Sequence, residues 1–254
     1  MIDTHAHLYV QEFEADIDAV MQRAWGEGVQ KMYLPAIDSQ THAAMMALED
    51  RYKGRCFAMI GIHPCSVKAD YKNELAIVEQ LLKQRTFAAI GETGLDFYWD
   101  ASFVEEQYMA LEKQIEWALQ YDLPLVLHTR NAIPETIKVI QKYAHTSLKG
   151  IFHCFGGTLE EARQIIDCNF LLGIGGVVTY KKAGLDAVLP EIGLEHIVLE
   201  TDAPYLSPVP YRGKRNECSY LPEIANKIAE IKGLELAMVV KQTTLNAEKI
   251  FKMG

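Results

Sequence analysis

The chain has no apolar run long enough to cross a bilayer, which excludes a membrane-spanning helix, and no membrane partner is expected. It also lacks any CxxC pair. Its five cysteines (Cys56, Cys65, Cys154, Cys168, Cys218) form an odd set at irregular spacing, which argues against a disulfide framework or zinc ribbon and for a reducing compartment. No charged stretch followed by an apolar segment precedes residue 5, where the candidate site begins, so a cytoplasmic location is expected. Basic residues are scarce, 25 against 34 acidic, for a net charge of -9. This disfavours nucleic-acid binding through a broad basic face. It leaves room for an enzyme that meets phosphate through metal ions, because bound divalent cations reverse the local sign. No low-complexity stretch, linker or composition shift divides the chain, and one domain over residues 1–254 is expected.

What the chain does have is a rhythm. Short apolar runs recur at Met1 to His5, Lys31 to Ile37, Cys56 to Ile62, Phe87 to Ile90, Pro124 to Leu127, Gly150 to Phe152, Phe170 to Ile174 and Ile197 to Leu199. Several are continuously apolar, as in Leu125-Val126-Leu127, which suits strands buried on both faces of a parallel sheet. Helical spacing fills the gaps: Phe13, Ile17, Val20, Met21 and Ala24 lie on one face, and Tyr108, Leu111, Ile115 and Leu119 on another. Strand and helix alternating eight times over 254 residues is the pattern of a (β/α)8 TIM barrel, an α/β fold. Leu221 to Lys232 and Leu234 to Lys252 read as closing helices.

The polar residues fall on the strand ends. His5 and His7 follow the first strand, two apart, so that in extended backbone their imidazoles share a face about 6–7 Å apart along the chain. His63 follows the third strand, Glu92 the fourth, His128 the fifth, His153 the sixth and Asp202 the eighth. That end of a barrel carries its active site. A lone strand-end histidine is ordinarily a hydrogen-bonded core residue. Buried Glu92 and Asp202, however, need positive charge beside them, and Arg130 is the sole nearby cation in the sequence. His5, His7, Glu92, His128, His153 and Asp202 exceed one tetrahedral shell and suit a pair of divalent ions. Glu92 would bridge them, with His5, His7 and Asp202 on one ion and His128 and His153 on the other. Magnesium, manganese, zinc and nickel all suit such mixed nitrogen and oxygen ligation.

These residues sit in Asp3-Thr4-His5-Ala6-His7, Gly61-Ile62-His63-Pro64, Gly91-Glu92-Thr93-Gly94-Leu95-Asp96, His128-Thr129-Arg130, His153-Cys154-Phe155 and Glu200-Thr201-Asp202-Ala203-Pro204, followed by Arg212-Gly213-Lys214-Arg215-Asn216-Glu217. In this order, over nearly the whole chain, they resemble the TatD family of metal-dependent deoxyribonucleases, within the amidohydrolase-like barrels. The resemblance implies a divalent-metal phosphodiesterase acting on DNA, with those six residues as metal-binding positions. The chain departs from the usual pattern at Thr129, Gly156 and Cys218; none is a ligand, but Gly156 and Cys218 bear on the shape of the substrate loops.

On this reading a pair of ions activates a water and stabilises charge on the attacking and leaving oxygens. Glu92 and Asp202 are the catalytic carboxylates, Asp202 also accepting the water's proton. Glu200, two residues before Asp202, either orients a ligand from behind or is simply a buried polar residue. His63 and Arg130 are candidates to contact phosphate, Arg130 otherwise pairing with a carboxylate. Lys181, Lys182, Arg212, Lys214 and Arg215 form a basic rim that could receive a nucleic-acid backbone, although charge runs are commonly just solvated. Tyr98 and Trp99 could stack on a base or pack over the mouth. Cys154 is expected in the core, and His42, His145 and His196 in structural or solvated places. The rival readings are an amidohydrolase acting on a C–N bond, a phosphatase of small phosphoesters, and a non-catalytic metal- or nucleic-acid-binding barrel. Many amidohydrolases bridge their metals with a carboxylated lysine on the fourth strand, where this chain has Glu92.

Overall fold

The structure, a computed structural model, describes residues 1–252. Its strands are β1 (Ile2–Asp3), β2 (Lys31–Leu34), β3 (Cys56–Ala58), β4 (Ile90–Asp96), β5 (Leu125–Arg130), β6 (Gly150–Phe152), β7 (Phe170–Ile174) and β8 (Ile197–Leu199). Its helices are α1 (Ile17–Gly26), α2 (Ser39–Arg51), α3 (Tyr71–Gln84), α4 (Val104–Gln120), α5 (Ile133–Gln141), α6 (Leu159–Asp167), α7 (Leu185–Val188), α8 (Leu221–Lys232) and α9 (Leu236–Phe251). No helix among the described residues is long and apolar enough to cross a membrane.

Strands β1 to β3 form one arc and β4 to β8 the other, in sequence order and with every neighbouring pair parallel. Bridges between Ala6 and Ala203 and between Ile60 and Ile90 join the arcs. The amide of Thr4 donates to Leu199 O (3.0 Å), that of Asp202 to His5 O (2.8 Å) and that of Gly91 to Ile60 O (2.8 Å), closing the (β/α)8 barrel. Alternation along each strand sends residues to two cores. Leu125, Leu127, Phe152, Ile197 and Leu199 pack outward under the helices. Ile2, Tyr33, Phe57, Met59, Val126, Ile151 and Val198 fill the interior, joined by Ala247, Ile250 and Phe251 of α9. The Phe251 ring stacks on Tyr33 at 3.7 Å between centroids, so α9 plugs the lower end.

Three strands differ from the sequence expectation in ways that shape the site. Strand β5 runs on to Arg130, so His128 lies inside it rather than after it. Strand β1 stops at Asp3, and the chain bends at Thr4 before His5. His5 and His7 therefore lie on extended backbone beyond the strand, held by the Thr4 and His7 amides, the latter donating to Ala203 O at 2.7 Å. Strand β4 begins at Ile90 and runs to Asp96, so Glu92 lies inside it rather than after it, next to a register shift between Ile90 and Thr93. Strands β4 and β5 extend each other past their apolar runs, pairing from Thr93 opposite Leu127 to Asp96 opposite Arg130.

Candidate metal centre

The interior alternation aims the ligands. Two residues above Val126 stands His128, and two above Ile151 stands His153. Above Met59, with Gly61 between, comes His63; above Val198 come Glu200 and then Asp202. The apolar filling of the barrel thus gives way to imidazoles and carboxylates. Glycine makes the space: a Cβ on Gly173 would lie 2.3 Å from Glu200 Oε2, and one on Gly94 would lie 2.0 Å from His128 O.

Glu92 occupies the middle, its side chain 2% exposed. Its Oε2 faces His5 Nε2 at 3.2 Å and His7 Nε2 at 3.4 Å. Its Oε1 faces His128 Nδ1 at 3.0 Å, His63 Nε2 at 3.5 Å and His153 Nε2 at 3.7 Å. Asp202 Oδ1 closes the far side, 3.7 Å from His5 Nε2, 3.6 Å from His7 Nε2 and 3.9 Å from His153 Nε2. The sequence-derived candidates come together around Glu92 and Asp202. His153 stacks on His5 at 3.5 Å and lies near Asp202, while its Nε2 faces the Glu92 oxygen that also faces His128; His63 stands beside Glu92 and His128.

Behind these groups stands a layer of carboxylates. Glu200 Oε1 lies 3.0 Å from His153 Nδ1 and accepts from the Cys154 amide at 2.5 Å. Asp96 Oδ2 lies 2.8 Å from His128 Nε2. Metal-ligating histidines ordinarily hold a carboxylate on their other nitrogen. Sequence reasoning missed Asp96; the signal was its strand parity with Glu92, visible only once β4 extends that far. It also missed Asp3, whose carboxylate accepts from the Thr201 amide (3.0 Å) and hydroxyl (2.6 Å) and from the His5 amide (3.3 Å), tying both HxH and the Asp202 segment across the barrel seam. Asn216 does similar work, donating to Thr201 O at 2.7 Å and Tyr205 O at 2.6 Å.

Charge in this pocket is unbalanced. Burial works to raise the Glu92 carboxyl, but His5, His63 and His128 outweigh it and hold it well below the usual carboxylate range. Burial pushes Asp202 up to about 6, against the pull of His153 and His7, and likewise pushes Asp3 up to about 6. Burial, aided by His153, keeps His5 well below the ordinary imidazole value. Against the same burial, Glu200 and Asp202 push His153 up to about 10, and Glu92 helps raise His63 and His128. The carboxylates thus draw positive charge onto His153, His63 and His128, as a cavity does that requires a cation. Glu92 Oε2 and His5 Nδ1 are buried without a hydrogen-bond partner. Nitrogen and carboxylate donors, orphaned polar atoms and a backing carboxylate layer fit divalent metal.

A family model described as TatD related DNase matches residues 2–252. The chain belongs to the TatD family. It is 35% identical to YabD of Bacillus subtilis, an uncharacterized metal-dependent hydrolase, and 34% identical to the 3'-5' ssDNA/RNA exonuclease TatD of Pectobacterium atrosepticum, each match covering 100% of both chains. It is similar in structure to YjjV, a TatD homologue from Escherichia coli K12 (TM-score 0.94, 27% identity, covering 100% of this chain and 98% of that one). The metal-capable clusters of this TatD-family barrel therefore lie in a fold whose relatives include metal-dependent hydrolases.

The positions around the TatD-type cluster divide. Arg130 reaches neither Glu92 nor any other carboxylate among the described residues; its guanidinium lies over Tyr98 at 4.3 Å and Trp99 at 5.3 Å. Arg215 is not a free rim cation, because it pairs with Asp16 at 2.7 and 2.8 Å and so braces the loop after β8 against α1. Lys181, Lys182, Arg212 and Lys214 are exposed, with Arg212 over the Tyr180 ring at 3.9 Å. Cys154 is half-buried rather than in the core, because its φ of 49° breaks the strand alternation and turns it into a groove beside His153. Burial and the charges of Asp202 and Glu200 raise its thiol well above the usual value, which keeps it protonated and a poor nucleophile. Of the departures from the family pattern, Gly156 is exposed on that groove, which Thr129 also lines. Cys218 is buried beside Thr201, so it shapes the core beneath the site and not a substrate loop. His42 is buried in α2, while His145 and His196 lie away from the cluster.

Proposed function

We propose that this chain is a divalent-metal-dependent nuclease that hydrolyses phosphodiester bonds of DNA, with single-stranded DNA or RNA as the substrate class its TatD relatives suggest. The observation that carries the reading is Glu92, one buried carboxylate whose two oxygens face two different groups of imidazoles. Such a carboxylate suits a bridge between a pair of ions. His5, His7 and Asp202 would hold one side, and His128 and His153 the other, with His63 beside the same Glu92 oxygen as His128. When bound, the ions supply a water acidified near neutral pH and positive charge for the attacking and leaving oxygens. Magnesium, manganese, zinc and nickel are all compatible with this donor set.

The chain's own residues do the rest. Asp96 holds the ring of His128 through its Nε2, and Glu200 stands 3.0 Å behind His153 Nδ1, placed to orient that ring once a cation takes the other nitrogen. Asp202 is the least buried of the four carboxylates, its side chain 12% exposed against 2% for Glu92, 1% for Asp96 and 0% for Glu200. It is therefore the group placed to take the proton of the attacking water. Arg130, free of carboxylates, is left to meet a substrate phosphate. The whole of residues 1–254 is taken as one catalytic domain, and its five cysteines, all free, suit the reducing cytoplasm.

The test is direct. The purified protein with magnesium or manganese is given labelled DNA, a cyclic amide and a nitrophenyl phosphodiester. Cleavage of DNA is expected. Amide turnover with DNA left intact overturns the proposal in favour of C–N bond hydrolysis.

A further inference from the structure

Tyr98 and Trp99 stand out on the surface, 54% and 65% exposed. Their rings meet edge to face at 5.0 Å and 85°, and the Arg130 guanidinium covers both. Large aromatics at such exposure need a reason. They are not on a loose loop. Asp96 Oδ1 accepts from the Tyr98 amide (2.8 Å) and the Trp99 amide (2.9 Å), while its Oδ2 faces His128 Nε2. Gln107 Nε2 donates to Asp96 O and Asp100 O, and Lys68 Nζ binds Asp100 Oδ2 at 2.6 Å. One carboxylate thus sets both a ring of the metal cluster and the aromatic pair.

The surroundings identify the occupant. Arg130 lies two residues beyond His128 on β5, so the platform adjoins the mouth. On its other side opens a groove of about 760 Å³, lined by Thr129, Arg130, Asn131, Cys154, Gly156 and Gly157 among others. Nothing would meet a Cβ on Gly156 within 4 Å, so that wall is open. With a net charge of -9, the protein has little general attraction for phosphate. A ring face beside a guanidinium matches an unpaired base beside its phosphate, and stacking accepts every base. In a duplex the internal base faces are already covered by their neighbours.

We propose that Tyr98, Trp99 and Arg130 form a stacking platform for an unpaired base of the substrate strand, rigid before binding, which selects single-stranded nucleic acid over duplex. This rests on the nuclease reading for its choice of ligand, and the test separates the two. The metal-loaded protein is titrated with a short labelled oligothymidylate carrying phosphorothioate linkages, with its duplex, and with an otherwise identical strand of abasic residues. The base-bearing single strand is expected to bind about tenfold tighter than either of the others, the scale of one base stacked on an aromatic ring. Trp99→Ala should erase that preference. A base stacked on Trp99 should also quench the protein's tryptophan fluorescence, and Trp99→Phe should keep the preference while abolishing that quench, since Trp117 is buried and Trp25 half-buried. Equal affinity of the wild type for base-bearing and abasic strands, or a preference that survives Trp99→Ala, overturns the platform. A preserved preference with no hydrolysis of ordinary DNA overturns the nuclease reading instead and leaves the platform standing.

Discussion

The lower end of the barrel and its upper mouth are built from the same strands, yet their interiors have opposite chemistry. Below, Tyr33, Phe57, Met59, Val126, Ile151 and Val198 close on Phe251 in an apolar plug. Above, one step of the strand alternation replaces Val126 by His128 and Ile151 by His153. The lower end gains stability from burying apolar surface. The mouth buries imidazoles and carboxylates, which costs free energy unless a cation joins them. Stability and function are thus separated along one axis, and each end can be perturbed alone.

Phe251→Ala should show the largest effect at the lower end. Removing a buried phenyl ring from a tight core costs about 3–5 kcal/mol, read as a lower midpoint in urea, with metal content per folded chain retained. Loss of metal without loss of stability would contradict the division. At the mouth the reverse holds. Divalent ion at about a hundredfold its dissociation constant should add about 2.7 kcal/mol of stability, read by thermal melting, and chelation should remove it. Next come Glu200→Gln and Asp96→Asn, each expected to lower activity or metal affinity about 10–100-fold by releasing a ligand ring. Isothermal titration with manganese checks this, and unchanged affinity in both variants would show that the carboxylate layer is only packing. The smallest effect belongs to the ion pair that straps the aromatic loop. Lys68 first, then the Ser102 amide, lowers the Asp100 carboxyl to about 2, below the unfolded value of about 3.9. Its stabilisation is therefore present above pH ~4 and is lost as pH falls toward about 2. Asp100→Asn should flatten that acid limb in urea midpoints, with little change at neutral pH.

Where the sequence was legible, alternation was the reason. The bounds of β6, β7, β8 and α8 follow from apolar runs and helical spacing alone, and so does the convergence of the six candidate ligands on one end. The failures are those of a local reading. Apolar runs cannot reveal that β4 continues through Glu92 to Asp96, because the pairing that orders those polar residues comes from β5. Asp96 was lost with it. Arg215 looks like a free rim cation in sequence because its partner Asp16 is 199 residues away. Cys154 was misplaced because alternation was carried one residue past His153, where a left-handed backbone ends it.

The central claim is that Glu92 bridges a pair of ions. Elemental analysis of the protein after saturation with manganese and removal of excess tests it most directly, in wild type and in Glu92→Ala. The account predicts about two ions per wild-type chain, as in other two-metal hydrolases, and a loss of both or all but a weakly held one in the variant, with the urea midpoint of the metal-free protein maintained or raised. A Glu92→Ala protein that keeps the full wild-type metal content contradicts it.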